Sequence, residues 1–493
     1  MRRYDHYIGG ASYAPASGQS IHRHSPATNV LVAAFASGNA HDINAAVLSA
    51  RTAFDDGPWP HLSGIDRSRS LRAFADLMLA HLERLARIES EEVGKPIRYA
   101  RKDIEGGAKV VHYAAGLAAD LHGIAYPGLK PGQTGLVMRE PAGVVGAIIP
   151  WNFPAFVFCH KVPFALAAGC SVVVKPSEFT SGTALELAKL ATEAGIPPGV
   201  VNVVTGYGAE AGDALAKHPA VDLVTFTGST VTGRKVMHAA ADSNKRVALE
   251  LGGKGANIVF ADADMDDAID GTLFGVFHNS GQVCSAGSRL LIDETIADSF
   301  LARLTQATGA IRIGDPADDA TDMGSLIHAA ALDKVAAHVD GSAADGAVVI
   351  SGGERLSGGV YDKGSYYAPT ILDRVDAAAR VFSDEIFGLV LTVTRFRTTD
   401  EAVALANTSR YGLANALWTR DAERAMGVSN ALRSGVIWVN TTLDGSPQMP
   451  FGGRGQSGFG REFGRAGLEE FTEIKSIFFS TGRRTPEFYG RLK

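Results

Sequence analysis

The chain has 493 residues, 46% of them hydrophobic and 20% charged, with a formal net charge of −6. That balance excludes a disordered or fibrous chain, and the lack of a dense Lys/Arg stripe argues against a nucleic-acid partner. No apolar stretch reaches the roughly 18 residues of a bilayer span, so no membrane association is expected. The length implies two or three domains. Three cysteines are too few and odd in number for a disulfide framework, which fits a reducing compartment. MRRYDHYIGG has no apolar run after its two arginines, so it does not read as a secretory signal, and a cytoplasmic protein is expected. His22, His24 and the other histidines show no metal-ligand spacing, and no metal is expected.

Residues 1–40 read as an arm of short strands broken by Gly, Ser and Pro. Helical apolar spacing runs over 41–53 and over 67–93, where Leu71, Phe74, Leu77, Met78, Leu82, Leu85 and Ile88 recur at three- and four-residue steps until Gly94 to Pro96. A further helix is predicted over 102–119. Residues 121–140, polar with frequent Gly and Pro and then GLVMRE, read as a protruding hairpin that pairs with another subunit. From 141 onward strand and helix alternate. Strands fall at 144–149, 171–174, 200–204, 223–225 and 246–251, with helices at 155–168, 181–194 and 209–217. A second alternating unit follows, with strands at 258–260, 289–292 and 348–350 and helices at 264–279, 294–309 and 330–340. Such alternation implies mostly parallel sheets covered on both faces, with ligands bound where strands end and helices begin. The tail from 469, containing KSIFFS, reads as an edge strand.

Five short motifs fall at those junctions. In GQVCSAGS, Cys284 is flanked by small and polar residues, which leave space above a sulfur nucleophile and bring main-chain donors close to it. IIPWNFP holds Asn152 between two prolines, a position suited to an oxyanion donor. ELGGK places Glu250 at the end of an apolar strand beside close backbone, where a carboxyl is pushed towards the pKa of a general base. KPSE delivers Lys175 and Glu178 to a strand end, where a carboxylate accepts both hydroxyls of an adenosine ribose and repels a 2′-phosphate. VTFTGSTVTG carries Gly228 and Gly233 through a strand–turn–helix junction that attracts phosphate. Each residue alone also fits a bland role: a packed thiol, a turn cap, a solvated strand end. Together they supply nucleophile, oxyanion donor, base and phosphate cradle.

In that combination the chain resembles the aldehyde dehydrogenase superfamily over nearly its whole length. The shared strings, in family order, are PWNFP, KPSE, FTGST, ELGGK, GQVCSAGSRL, DEIFG (384–388), SGVIWVN (434–440) and PFGG…SGFGRE (450–462). The resemblance implies an α/β fold of two doubly wound parallel-sheet domains plus a small oligomerisation sheet. Nucleotide binding would occupy 1–120 and 141–252, and catalysis 253–450. Residues 451–468 would be a Gly-rich linker, and 121–140 with 469–493 the oligomerisation strands of a homodimer or homotetramer.

The resemblance makes Cys284 the nucleophile, Glu250 the base and Asn152, with the Cys284 N–H, the oxyanion hole; Lys161 and Glu462 would carry protons away from the base. NAD, in preference to NADP, would lie along Ile148, Pro150, Trp151, Lys175, Ser177, Glu178, Gly208, Phe226, Gly228, Ser229, Gly233, Leu251, Gly252, Glu385 and Phe387. The aldehyde pocket would be formed by Phe153, Phe156, His160, Val283, Ser285, Asp444, Gly445 and Phe451. His160 stands where an aromatic residue is frequent, and Gly445 lies in a loop that often places another, so a wider, more polar pocket is expected. Asp384 replaces a common Glu, KGANIV lacks a frequent Ser-Pro, and Arg454-Gly455 replaces a frequent aromatic-Lys pair. The implied reaction is oxidation of an aldehyde to its acid through a thiohemiacetal and a hydrolysed thioester. A CoA-acylating semialdehyde dehydrogenase and a non-catalytic NAD-binding protein of the same fold are the alternatives; Glu250 argues against the first, which generally lacks the base glutamate, and the presence of both Cys284 and Glu250 argues against the second. Cys159 and Cys170 read as packing residues.

Overall fold

The structure is a computed structural model, and it describes residues 1–481. The apolar runs from Val144 to Glu250 form largely buried strands because helices cover both of their faces. Five of them lie parallel in the order Arg246–Glu250, Leu223–Thr227, Val144–Ile148, Ser171–Lys175, Val201–Val203. Helices Pro154–Ala168, Gly182–Glu193 and Thr230–Ala241 connect them. A second sheet has seven strands, Val348–Ser351, Thr370–Asp373, Val390–Phe396, Arg289–Asp293, Ala256–Val259, Ala414–Trp418 and Val436–Val439. All its neighbours are parallel except the edge pair Val348–Ser351 and Thr370–Asp373. The α/β architecture is the expected one.

Several local readings need correction. The 67–93 helix is two helices, Gly64–Ala80 and Leu82–Val93, because His81 leaves helical geometry at φ −106°, ψ 19°. The apolar spacing continues through this break because both helices pack on the same core, so periodicity could not reveal it. Gly94 ends the second helix in the left-handed conformation, with φ 83°. The N-terminal strands are not one arm. Arg2–Tyr4, Ser20–His24 and Leu31–Ala36 form their own sheet, while His6–Ile8 and Ala11–Tyr13 extend the eight-stranded sheet. Within the Gly-rich 451–468 stretch, Gly458–Phe459 pairs antiparallel with Leu249 and Glu250, and Gly464–Glu469 is helical. Gly458 is required there, since it has φ 98° and a Cβ on it would strike the Leu249 carbonyl.

The 121–140 region is the predicted hairpin, Ile124–Lys130 with Gln133–Pro141, and Thr472–Ser480 pairs with its second strand from Thr472↔Pro141 to Ser480↔Gln133. Residues 482–493 of the predicted tail lie outside the described residues.

Candidate active site

Parallel register brings the motif residues into one row. Ile148 pairs with Lys175 and with Phe226, and Thr227 pairs with Glu250, so four strands end together at one carboxyl edge. Asn152 follows the first of these strands and Glu178 the second. The Gly228–Ser229 turn follows the third, and the glycines after Glu250 follow the fourth.

At one end of this row Lys175 Nζ lies 3.6 Å from Glu178 Oε2, and Ser177 is buried beside them. Burial lowers the Lys175 pKa, against the pull of Glu178. Ser229 caps helix Thr230–Ala241 by accepting from Thr232 N at 3.2 Å, so this helix offers the open N–H groups of its first turn. Gly233 lets the helix lie against Leu251: a Cβ there would stand 2.5 Å from Leu251 Cδ2. Gly208 is exposed and opens a wide helical turn, Gly208–Gly212, before Asp213–Lys217, which divides the helix predicted over 209–217.

The glycines of ELGGK permit two close approaches. A Cβ on Gly252 would overlap the Glu385 carboxylate, and one on Gly253 would overlap the Cys284 carbonyl oxygen. Gly253 N donates to Glu385 Oε1 at 3.0 Å, so the DEIFG loop is tied directly to the segment carrying Glu250. Phe387 follows with φ 58° and meets Trp151 edge-on at 5.4 Å. These groups fit a dinucleotide: a helix N-terminus for phosphate, two carboxylates at 178 and 385 for ribose hydroxyls, and an aromatic pair beyond.

Cys284 lies on the loop after helix Met265–Phe277 and is only partly buried, unlike Cys159 and Cys170. Asn279 and Ser280 turn the chain through left-handed geometry, with φ 49° and 57°. Asn152 Nδ2 donates to the Gln282 carbonyl at 2.9 Å, and Asn279 Nδ2 donates back to the Asn152 carbonyl at 3.1 Å. This exchange, across 127 and 130 positions of chain, holds the Asn152 amide two residues from the thiol. One amide hydrogen is used on Gln282, and the second is available to a reacting oxygen. Gln282 is itself locked, accepting at Oε1 from Ile327 N at 2.9 Å. Burial first, then the charges of Glu385, Glu250 and Glu462, push the Cys284 pKa up to about 12, with the Ser285 N–H opposing. Val283 and Ser285 beside it are buried.

Glu250 is 5% exposed, and neither carboxylate oxygen has a hydrogen-bond partner among the described residues. Burial, and then the charge of Glu462, raise its pKa well above the carboxylate range. Glu462 is the counterpart: Lys161 Nζ donates to its Oε1 and His160 Nδ1 contacts its Oε2, both at 2.6 Å. Lys161 also donates to Thr225 Oγ1 at 2.9 Å.

His160 is the residue expected at the tunnel wall. It is buried, held by Glu462 through Nδ1, and packed edge-on against Phe156 and Phe463 at 4.4 and 4.3 Å. Its Nε2 has no partner among the described residues. Phe451 exchanges two 2.8 Å main-chain bonds with Glu462, and Phe153 stacks on His278 at 5.9 Å. Asp444 and Gly445 are exposed, and the Asp444 carbonyl accepts from Trp438 Nε1 at 2.6 Å. Sequence reasoning missed Asn279, Gln282 and Thr225. Only Asn279 carried a signal, as the first residue of an Asn-Ser-Gly turn beside the thiol.

The family model for the aldehyde dehydrogenase family matches residues 13–477, and the chain belongs to that family. Among curated relatives it is 44% identical to the NADP/NAD-dependent aldehyde dehydrogenase PuuC of Escherichia coli (strain K12), covering 96% of this chain and 95% of the relative. It is 43% identical to the betaine aldehyde dehydrogenase of Bacillus subtilis (strain 168), covering 91% and 92%. Among solved structures, an NAD-dependent aldehyde dehydrogenase from Sinorhizobium meliloti superposes with a TM-score of 0.97 at 47% identity, covering 99% of this chain and 96% of that one. A betaine aldehyde dehydrogenase from Staphylococcus aureus in complex with NAD+ gives 0.97 at 37% identity, covering 99% and 97%.

Proposed function

We propose that this chain oxidises a small aldehyde to its carboxylic acid with NAD+, through a thioester on Cys284. The observation that carries the reading is the Asn152–Gln282 bond, which holds an amide donor beside the one thiol of the three that is only partly buried. In this mechanism Cys284 Sγ bonds to the aldehyde carbon as its proton leaves, and the carbonyl oxygen becomes an oxyanion. Asn152 Nδ2 and the Cys284 N–H donate to that oxygen. NAD+, when bound, supplies the acceptor for the hydride lost from the aldehyde carbon. Lys175 and Glu178 hold its adenosine ribose, the Gly228–Ser229–Gly233 junction its phosphates, and Glu385 its nicotinamide ribose. Glu250 takes a proton from the water that hydrolyses the acyl group from Sγ. Lys161 and Glu462 lie behind Glu250 as the route for that proton.

The high thiol pKa sets a requirement. At neutral pH the unliganded site holds a thiol, and three carboxylates oppose its ionisation. Activation therefore needs a proton acceptor close by, and the raised pKa of Glu250 suits it to that task as well. The cationic nicotinamide ring would favour the thiolate by the same electrostatics.

The relatives' names include betaine and amino aldehydes. A polar aldehyde is the substrate class assigned here, supported by His160 Nε2, which is buried and unpartnered beside the cluster. The domain division given above, with cofactor binding in 1–120 and 141–252 and catalysis in 253–450, is part of the same reading. So is assembly as a homodimer or homotetramer through the Ile124–Lys130, Gln133–Pro141 and Thr472–Ser480 sheet, which exposes Ile124, Leu129, Ile474 and Phe478. A cytoplasmic location is supported by three free thiols; among the described residues no helix is long and apolar enough to cross a membrane.

The deciding experiment is a panel of polar and aliphatic aldehydes assayed with NAD+ and NADP+ by kcat/KM. Turnover of polar aldehydes with NAD+ and no need for CoA is expected. A strict CoA requirement would replace the hydrolytic reading, and a preference for hexanal over every polar aldehyde would remove the substrate class.

A further inference from the structure

A cavity of about 300 Å³ lies between Lys254–Gly255, the 406–415 segment and Arg454–Gly455. None of the residues assigned above to the thiol, the cofactor or the aldehyde lines it. Its lining carries five cationic side chains, Lys254, Arg289, Arg410, Arg433 and Arg454, and no carboxylate. Arg289 is fully engaged as a frame, donating to the carbonyls of Lys254, Leu405 and Ala406 at 3.0, 3.0 and 2.9 Å. Arg410 reaches Asp384 at 3.4 Å, outside the lining. Arg433 and Arg454 are exposed, and their guanidinium groups make no hydrogen bond or ion pair among the described residues.

Lys254 is the unusual member. It is 3% exposed, and its Nζ has no hydrogen-bond partner among the described residues. Burial and the Arg289 charge lower its pKa to about 7; Glu385 and Asp384 offset only part of that. A buried amine without a partner is costly, and a ligand that accepts its hydrogen bonds removes the cost. The walls are pinned by main-chain bonds: Gln456 N to Arg410 O at 3.1 Å and Arg454 N to Gly412 O at 3.0 Å. Arg433 N also donates to Asn407 Oδ1 at 2.8 Å.

We propose that this cavity binds a phosphate dianion, either free or carried as a monoester on a small metabolite. Lys254 Nζ contacts it from the buried wall and Arg433 and Arg454 contact it from the rim. Cations converging from separate elements suit a tetrahedral dianion better than a planar carboxylate. The volume stands at the lower end of small-molecule sites and leaves room for the carbon skeleton of an ester.

The test is thermal unfolding of the full chain in saturating NAD+, which occupies the cofactor's own phosphate cradle. Inorganic phosphate, glycerol phosphate and chloride at matched ionic strength are titrated. The proposal expects a saturable rise in Tm with a phosphate and not with chloride, abolished in Lys254→Met and shifted to severalfold higher concentration in Arg454→Ser. A tighter response to glycerol phosphate identifies a carried phosphate, and a tighter response to inorganic phosphate a free one. No rise, an equal rise with chloride, a rise seen only without NAD+, or one that survives both substitutions overturns it. If Lys254→Met does not fold, the exposed pair Arg433→Ser with Arg454→Ser decides by the same readout.

Discussion

Glu250 and Glu462 are buried to nearly the same degree, 5% and 7% exposed, yet they ionise in opposite directions. Burial opposes charge on both. On Glu462 it is outweighed by Lys161 and His160, which hold the pKa at about 2. Glu250 receives no such bonds, and the Glu462 charge adds to the effect of burial. One carboxyl is thereby held as an anion at neutral pH and the other is a proton acceptor with real affinity for its proton.

Thioester hydrolysis should therefore speed up as pH rises through the raised Glu250 pKa, because only the deprotonated form takes a proton from water. Glu250→Gln should still give a stoichiometric burst of NADH, formed more slowly because thiol activation loses its acceptor, while steady-state turnover falls about 10²–10⁴-fold. Stopped-flow absorbance at successive pH values checks both; an unchanged steady state would remove Glu250 as the base.

Asn152→Ala should lower kcat about 10²–10³-fold through loss of one oxyanion donor. The fold should lose only about 1 kcal/mol, one hydrogen bond to Gln282. Rates and urea unfolding, measured together, separate the two effects.

Glu462→Gln leaves Lys161, 1% exposed, without its carboxylate. A cost of about 3–5 kcal/mol in unfolding free energy is expected. The sign with pH follows from the lowered folded value. The wild-type contribution is present above the unfolded carboxyl value of 4.5 and is lost as pH falls towards about 2. The stability gap between wild type and variant should close over that window in acid unfolding.

Gly252→Ala should raise KM for NAD+ more than it lowers kcat, since the new methyl displaces the Glu385 carboxylate. Gly253→Ala should do the reverse, by pushing the Cys284 carbonyl. Initial-rate kinetics on the two variants, with near-UV circular dichroism to confirm the fold, distinguish these outcomes.

Glu178→Ser removes a partly exposed negative charge from the proposed ribose site. The NADP+ to NAD+ ratio of kcat/KM should rise about tenfold, the scale of one relieved charge repulsion near a surface. An unmoved ratio would show that Glu178 does not select the cofactor.

Much of this protein could be read from its residues in order. Buried parallel strands need unbroken apolar runs, and glycines are needed where backbones nearly touch, so Val144–Ile148, Ser171–Lys175 and ELGGK were visible as local patterns. The thiol, the amide and the strand-end carboxyl stood out for the same reason, since their immediate neighbours prepare them. Other features depend on residues distant in sequence. The break at His81, the pairing of Gly458 with Glu250, and the capture of His160 by Glu462 have no local signature. Nor could composition distinguish Glu250 from Glu462. An ionisation constant is set by the charges and donors that folding brings within a few ångströms, and here those arrive from as far as 302 positions away along the chain.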